Sequence, residues 1–491
     1  MKKITRIFSG FCAAAIMTTS LAGCQTKSVA TEAAPGGKEV PTLTVWTIGN
    51  QPKNMDEGLA AMNEYTAKKI GVKINLKVAG WGDWDTKMNQ IINTSEYFDF
   101  MFSDNTKYSH QVSKGALAEI TDEDLKAVPG LTKLIPEDVW SGAKIKGKLY
   151  AIPAYKDSAQ TQYWIWDEDI VKKYNIDTKK AVTLKELDPI LREIKKGESE
   201  TNKNFYPFII DTDGSKGMLM KYDDMTLGLP PIGVRVDDAE RKVVSVFEQQ
   251  DVMEDLSILH SWFKDGIMNK DAPICTELPR YRTVFATQAY PGLEKTFAIN
   301  MDKPDGNTVM EKLAGPIYTN STIQGSLQVI SKQSKYKAEC LKYLELLNTD
   351  RTLRDMWSYG KEGVNFSYVD KEKGIVKRVV GMDWGLPGYA QGTSATRSVD
   401  EGVPTDQWEQ IKKLNEAAEK SVILGFTFDM EPVRNEVQNV RAVWDKYKNN
   451  VKTGAKDPKE IVPQVVKEMK AAGMDKIIAE AQKQIDEQFK K

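Results

Sequence analysis

Beyond residue 41 the chain moves between two hydrophobic periodicities. Val72-Lys73-Ile74-Asn75-Leu76-Lys77-Val78 alternates apolar and polar positions, the pattern of a strand with one buried face. Asn54 to Lys69 instead places apolar side chains at Met55, Leu59, Met62 and Tyr65, which is helical spacing. Leu43 to Trp46 predicts a short strand ahead of that helix. Asp85 to Ile92 predicts a second amphipathic helix, leading into a strand over Phe98 to Phe102. This β-α-β-α-β order predicts parallel strands joined by right-handed crossovers. Ligands of such sheets sit beyond the carboxyl ends of the strands. Three loops, 47–53, 79–84 and 103–108, are therefore predicted to share one rim.

The alternation of strand and helix continues. Gly147 to Pro153 predicts a strand stopped by its proline, and Gln162 to Trp166 another, with Trp164 and Trp166 on one face. Thr183-Leu184-Lys185-Glu186 is a capping box at a helix start, although Pro189 should kink that helix or shift its first turn. Phe205 to Ile210 predicts a buried strand, and Val252 to Phe263 and Lys335 to Leu347 predict helices. Asp457-Pro458 pairs an N-cap with proline at the first helical position, and Gly473 closes that helix. A last helix is predicted over Asp475 to Phe489, with Ile477, Ile478, Ala481, Ile485 and Phe489 on one face. At 491 residues the chain exceeds one ordinary core, so the class is α/β in two lobes.

The first 40 residues follow neither periodicity. Lys2, Lys3 and Arg6 form a basic start, and Ile7 to Leu21 is mostly apolar or small but too short to span a bilayer as a mature helix. Leu21-Ala22-Gly23-Cys24 resembles the bacterial lipobox, in which cleavage precedes the cysteine and its thiol is acylated. Residues 1–23 are therefore expected to be a lipoprotein signal peptide and Cys24 the lipidated residue. Residues 24–40 are rich in small and polar positions and are expected to be a flexible tether. The protein is placed at the extracellular face of the cell membrane, held by its lipid.

Charge and composition then remove several function classes. The net charge is −1, and loss of Lys2, Lys3 and Arg6 with the signal leaves about −4, with no basic tract to bind nucleic acid. Of the four cysteines only Cys275 and Cys340 remain for the globular part, free or paired. The two histidines, His110 and His260, have no ligand partner at helical spacing, which argues against zinc. Asp211-Thr212-Asp213-Gly214 has its glycine too early for a calcium loop and reads as a strand-end turn. No P-loop, nucleophile elbow or dinucleotide fingerprint is present, and no cofactor is expected. Glycoside hydrolysis needs only two carboxylates, and the chain has 69 acidic residues from which to draw them.

The rim loops carry the positive signal. Gly80-Trp81-Gly82-Asp83-Trp84 puts tryptophans between glycines at a strand end, and Ser103-Asp104-Asn105 puts short polar groups at the next. Sugars offer apolar ring faces for stacking and hydroxyls for hydrogen bonds, which suits this mixture. Core packing of Trp81 and Trp84, and helix capping by Asp104, are the structural alternatives.

FDFMFSDNTKYSHQVSKGALAEIT (98–121) and GKLYAIPAYKDSAQTQYWIWDEDIVKKYNI (147–176) resemble extracellular solute-binding proteins of the maltodextrin-binding type. GFTFDMEPVRNEVQNVRAVWDKY and MKAAGMDKIIAEAQKQIDEQF, near the C-terminus, resemble the lipoprotein subgroup with the DUF3502 domain, common in Gram-positive bacteria. The resemblance implies a two-lobed, type II periplasmic-binding-protein-like fold, each lobe a mixed sheet flanked by helices, joined by hinge strands. It implies lobes over 41–153 with 285–330, and over 154–284 with 331–491. It further implies closure over ligand and delivery to the permease subunits of an ABC importer, with no catalysis. An oligosaccharide is the expected cargo, a peptide or other small polar solute the alternative, and a surface glycoside hydrolase the alternative from another class. A monomer is expected. Carried onto this chain, the ligand candidates are Asn50, Trp81, Ser103, Asp104, Asn105 and Tyr155. Trp384 and Tyr389, in GMDWGLPGYAQG, are the candidate stacking platform, and Arg397 is a candidate fork to hydroxyls.

Overall fold

Alternating burial builds the first sheet. In β1 (Thr42–Ile48) Leu43 and Val45 to Ile48 are buried, and in β2 (Lys73–Ala79) Ile74, Leu76 and Ala79 are buried. The two strands run parallel in unbroken register from Thr42 opposite Lys73 to Ile48 opposite Ala79. The computed structural model describes residues 40–490. The proposed signal, Cys24 and almost all of the tether lie outside the described residues.

Helix α1 (Met55–Ile70) connects these strands. Asp56 and Glu57 sit in its first turn and Lys68 and Lys69 in its last, complementing the helix dipole, and Gly71 closes it in the left-handed conformation. Helix α2 (Trp84–Thr94) buries Trp84, Met88 and Ile91 and leads to β3 (Phe100–Ser103), also parallel to β1. The parallel strands bring the loops after β1, β2 and β3 to one rim, as the element order predicts. Leu327–Ile330 and Ala151–Pro153 complete the sheet, Leu327–Ile330 pairing antiparallel with both neighbours.

A second sheet is centred on the strand Gln160–Asp167, flanked antiparallel by Val284–Gln288 and Thr308–Tyr318. Trp164 and Trp166 are both fully buried on its packed face, in a cluster with Phe208 and Trp262. A third cluster joins Met225 to Leu256 with the C-terminal helices Arg434–Lys452, Pro458–Ala471 and Met474–Gln488. Ile477, Ala481 and Ile485 are buried along the last helix, matching the predicted face. The capping box forms at Thr183 and Glu186.

The pairing redraws the expected lobe boundaries. Of residues 285–330, only Leu327–Ile330 joins the first sheet, while Val284–Gln288 and Thr308–Tyr318 belong to the second. Helices Lys337–Thr349 and Arg351–Tyr359, expected in the second lobe, bury Tyr343, Leu344 and Trp357 in the first core. Three local expectations also differ. Gly147–Pro153 splits at Tyr150 into a two-residue hairpin strand and a strand of the main sheet. Phe205–Ile210 forms only bridges at Phe208, because the Ile210 amide donates to the Asn269 side chain instead of a ladder. The helix Leu184–Glu198 runs on through Pro189. Cys275 and Cys340 are both free thiols.

Candidate ligand-binding cleft

The rim is assembled by backbone contact between loops distant in sequence. The Gly49 amide donates to Ala79 O and the Asn50 amide to Gly385 O, each at 3.1 Å. Gly385 has φ +75°, and a Cβ there would stand 2.6 Å from Asn50 O, so only glycine lets the 385–390 loop lie against the loop after β1. That loop carries Tyr389, whose carbonyl accepts from the Ser326 hydroxyl, while Ala390 O accepts from Gln328 at 2.6 Å.

The buried Arg354 holds the same loop from behind. Its Nε donates to Thr393 O at 2.6 Å, Nη1 to Ser358 Oγ at 2.7 Å and Gln391 Oε1 at 2.8 Å, and Nη2 to Gly388 O at 2.7 Å. None of these acceptors is a carboxylate. Burial, with the like charge of Arg397 second, lowers its affinity for the proton.

On this frame Trp81 and Tyr389 stand at the rim with 50% and 39% of their surfaces exposed, their ring centroids 6.4 Å apart. Phe102 backs Tyr389 edge-on at 6.1 Å, and Trp84 is buried against Phe102 at 5.6 Å. Burial and then the charge of Asp104 raise the Tyr389 hydroxyl's pKa, so the phenol is a neutral donor and acceptor beside the carboxylate. Asp104 itself accepts from the Thr106 amide at 2.9 Å. Asn50 is exposed beside Gly385. Ser103 is buried, its hydroxyl donating to Gln111 at 2.8 Å.

Asn105 connects this aromatic rim to a cavity of about 480 Å³ whose other wall belongs to the second sheet. Gln160 and Gln162 of the central strand, Tyr222 to Asp224, and Thr319, Ser321 and Thr322 line it. Asp223 is 1% exposed; its Oδ1 takes the Met225 amide at 2.9 Å and its Oδ2 has no hydrogen-bond partner among the described residues. Gln162, 4% exposed, likewise leaves Oε1 unpartnered. Burial, reinforced by Asp224, pushes the Asp223 carboxyl up to about 7.

Two sequence candidates lie elsewhere, and a third stands behind the rim loop. Trp384 is 4% exposed, with its ring filling the space a side chain at Gly58 would need and its Nε1 donating to Trp357 O at 3.0 Å. It is a core residue and not a stacking platform. Tyr155 is buried and borders a separate hollow of about 1010 Å³ with Trp140 and Glu409, which includes no residue of the three rim loops. Arg397 lies over the Trp408 ring at 4.6 Å in a cation–π contact and is absent from the cavity lining, while its Nη1 fills the space a side chain at Gly388, one residue before Tyr389, would need. Conversely, Gln162, Asp223 and Asp224 were not singled out from the sequence. An Asp-Asp pair before a turn carries no pattern that separates cavity wall from surface.

The geometry has clear relatives. A family model described as bacterial extracellular solute-binding protein matches residues 51–253, and the DUF3502 model matches 422–491. A protein of Streptococcus pneumoniae serotype 4 named carbohydrate ABC transporter substrate-binding protein is 28% identical over 487 residues, covering 96% of each chain. The crystal structure of NgtS, an N-glycan transport solute-binding protein of Streptococcus pneumoniae, superposes with a TM-score of 0.82 at 27% identity, covering 92% of this chain and 100% of that one. Its complexes with Man1GlcNAc and Man5GlcNAc give TM-scores of 0.75 and 0.72 at 28% and 27% identity, over 92% of this chain and 100% and 99% of those chains. With the solute-binding model over the rim loops after β2 and β3 and the central strand, and the DUF3502 model over the last helices, the chain is similar along most of its length to bacterial extracellular solute-binding proteins of ABC transporters.

Proposed function

We propose that the protein captures an oligosaccharide between the aromatic rim and the polar cavity and delivers it to the permease of an ABC importer. The observation that carries this reading is the juxtaposition of the exposed Trp81–Tyr389 pair with a cavity whose wall is amide, hydroxyl and carboxylate. Aromatic faces take the apolar faces of sugar rings, and the cavity groups take the hydroxyls. The named relatives transport carbohydrate, and one is solved with mannose–N-acetylglucosamine glycans, which makes glycans of that composition the first ligands to try. Asn50, Asp104 and Asn105 are the polar rim groups of this site, and two lobes closing on ligand is the working motion.

The lipid on Cys24 keeps the binding protein beside its permease and raises its local concentration there. Replacement of Cys24 by alanine tests the anchor: the variant is expected in the medium, and retention of the full amount on the membrane contradicts it. Uptake of labelled Man5GlcNAc by cells with and without the protein tests delivery. Equal uptake in both removes the transport role, and shortened glycan produced by the purified protein points to hydrolysis instead.

A further inference from the structure

Two acceptor oxygens in the cavity wall are buried without a partner among the described residues, one on the second sheet and one on a separate three-stranded sheet. Gln162 Oε1 belongs to the central strand Gln160–Asp167, and Asp223 Oδ2 to the short strand Tyr222–Asp223. A buried acceptor that loses water without gaining a donor carries its full desolvation cost, so native structures rarely leave one unless something else supplies the donor. We propose that Asp223 and Gln162 form an acceptor subsite for the hydroxyl or amide N–H groups of a neutral saccharide, and that Asp223 makes capture dependent on pH near neutrality. The assignment rests on the oligosaccharide reading of the same cavity.

The surroundings select a neutral donor over a cation. Lys216 and Lys452 line the cavity and turn to Asp213, at 2.6 and 3.5 Å, and their positive charge opposes an ammonium or metal ion nearby. Asp223 forms no ion pair with any lysine or arginine among the described residues, and no cluster there offers three metal-binding side chains. Facing its carboxylate are Asp224 on its own segment, the Asn320 amide, and the Ser421 hydroxyl. The last two ease the charge but do not reach Oδ2 with hydrogen-bond geometry. Asp224 is occupied by the Ser321 hydroxyl at 2.7 Å and by the Thr226 and Gly228 amides. Asp157, across the cavity, pairs with Lys156 at 3.1 Å and accepts from Gln288 at 3.0 Å. Asp223 is thus the carboxylate in this wall with an oxygen to spare.

A hydroxyl donating to Asp223 favours the ionised carboxylate, so bound saccharide lowers its pKa. Because burial holds the free carboxyl up to about 7, affinity rises as pH rises through neutrality. Calorimetric titration with Man1GlcNAc and Man5GlcNAc at pH 6 and pH 8 tests this in the wild type, Asp223→Asn and Gln162→Ala. The wild type is expected to bind about tenfold more tightly at pH 8 than at pH 6. Asp223→Asn is expected to bind about tenfold more weakly than wild type at pH 8, with no pH dependence. Gln162→Ala weakens binding at both pH values and keeps the slope. Wild-type affinity and slope in Asp223→Asn overturn the subsite while leaving the oligosaccharide reading intact. Failure of the wild type to bind either glycan overturns that reading, and the subsite with it. Ligand-free melting adds an independent check: Asp223→Asn should gain stability over wild type between pH 5 and pH 8. Parallel curves overturn the buried, uncompensated placement.

Discussion

Arg354 is the sharpest test of how the rim is held. Replacement by methionine keeps most of the volume and strands the acceptors of its four hydrogen bonds: Thr393 O, Gly388 O, Gln391 Oε1 and Ser358 Oγ. Ser358 keeps its own bond to Arg354 O at 2.9 Å, which leaves three carbonyl-type acceptors stranded. Each costs about 1–3 kcal/mol when buried without a donor, and removing a guanidinium buried without a counter-ion offsets part of that, for a net loss of about 3 kcal/mol. In a chain of this size the midpoint of thermal unfolding should fall by about 5 °C. Three of the acceptors lie in the 388–393 segment, so Tyr389 shifts as well and glycan affinity should fall about tenfold. Arg354→Lys keeps the charge but lacks the fork, and should lose nearly as much. Calorimetric melting with glycan titration reads both effects. An Arg354→Lys protein with wild-type melting and wild-type affinity refutes the account of the rim.

Other changes probe separate parts. Trp81→Ala and Tyr389→Ala should each weaken glycan binding by about 1–2 kcal/mol with a smaller effect on melting than a core substitution, because both rings are only partly buried before ligand arrives; unchanged titrations in both variants exclude the pair as a platform. Gly385→Ala meets a backbone oxygen at φ +75° and should destabilise by about 2 kcal/mol, and a neutral result in denaturant melts contradicts the close approach. Burial, then the charge of Asp251, raises the Asp255 carboxyl to about 6. A carboxyl raised above its unfolded value loses stability as pH climbs from near 4 through 6, so Asp255→Asn should melt higher than wild type at pH 7.5 and equally at pH 4; identical differences at both pH values refute the shift.

How much of this was legible depends on whether the cause is local. The alternation of Val72 to Val78 and the helical spacing of Met55, Leu59 and Met62 give β2 and α1 directly, and with them the shared rim. The exposed positions of Trp81 and Tyr389 agree with glycines on either side of Trp81 and a turn around Tyr389. Non-local causes were not legible. Trp384 is buried because Gly58, far earlier in the chain, leaves room for its ring, and nothing near Trp384 encodes that gap. The boundaries between lobes follow from Leu327–Ile330 crossing back to β3, a pairing set by packing and not by any local pattern. Tyr155 and Arg397 are polar-tipped residues in loops, a description that fits a binding site and a hinge equally well.

The central claim is that this cleft takes an oligosaccharide and leaves it whole. Titrating the purified wild-type protein with Man5GlcNAc in a calorimeter at pH 8, followed by chromatography of the glycan, tests it most directly. The account predicts saturable binding of one glycan per chain, recovered intact. No heat of binding with this or any other glycan, or recovery of shortened products, contradicts it.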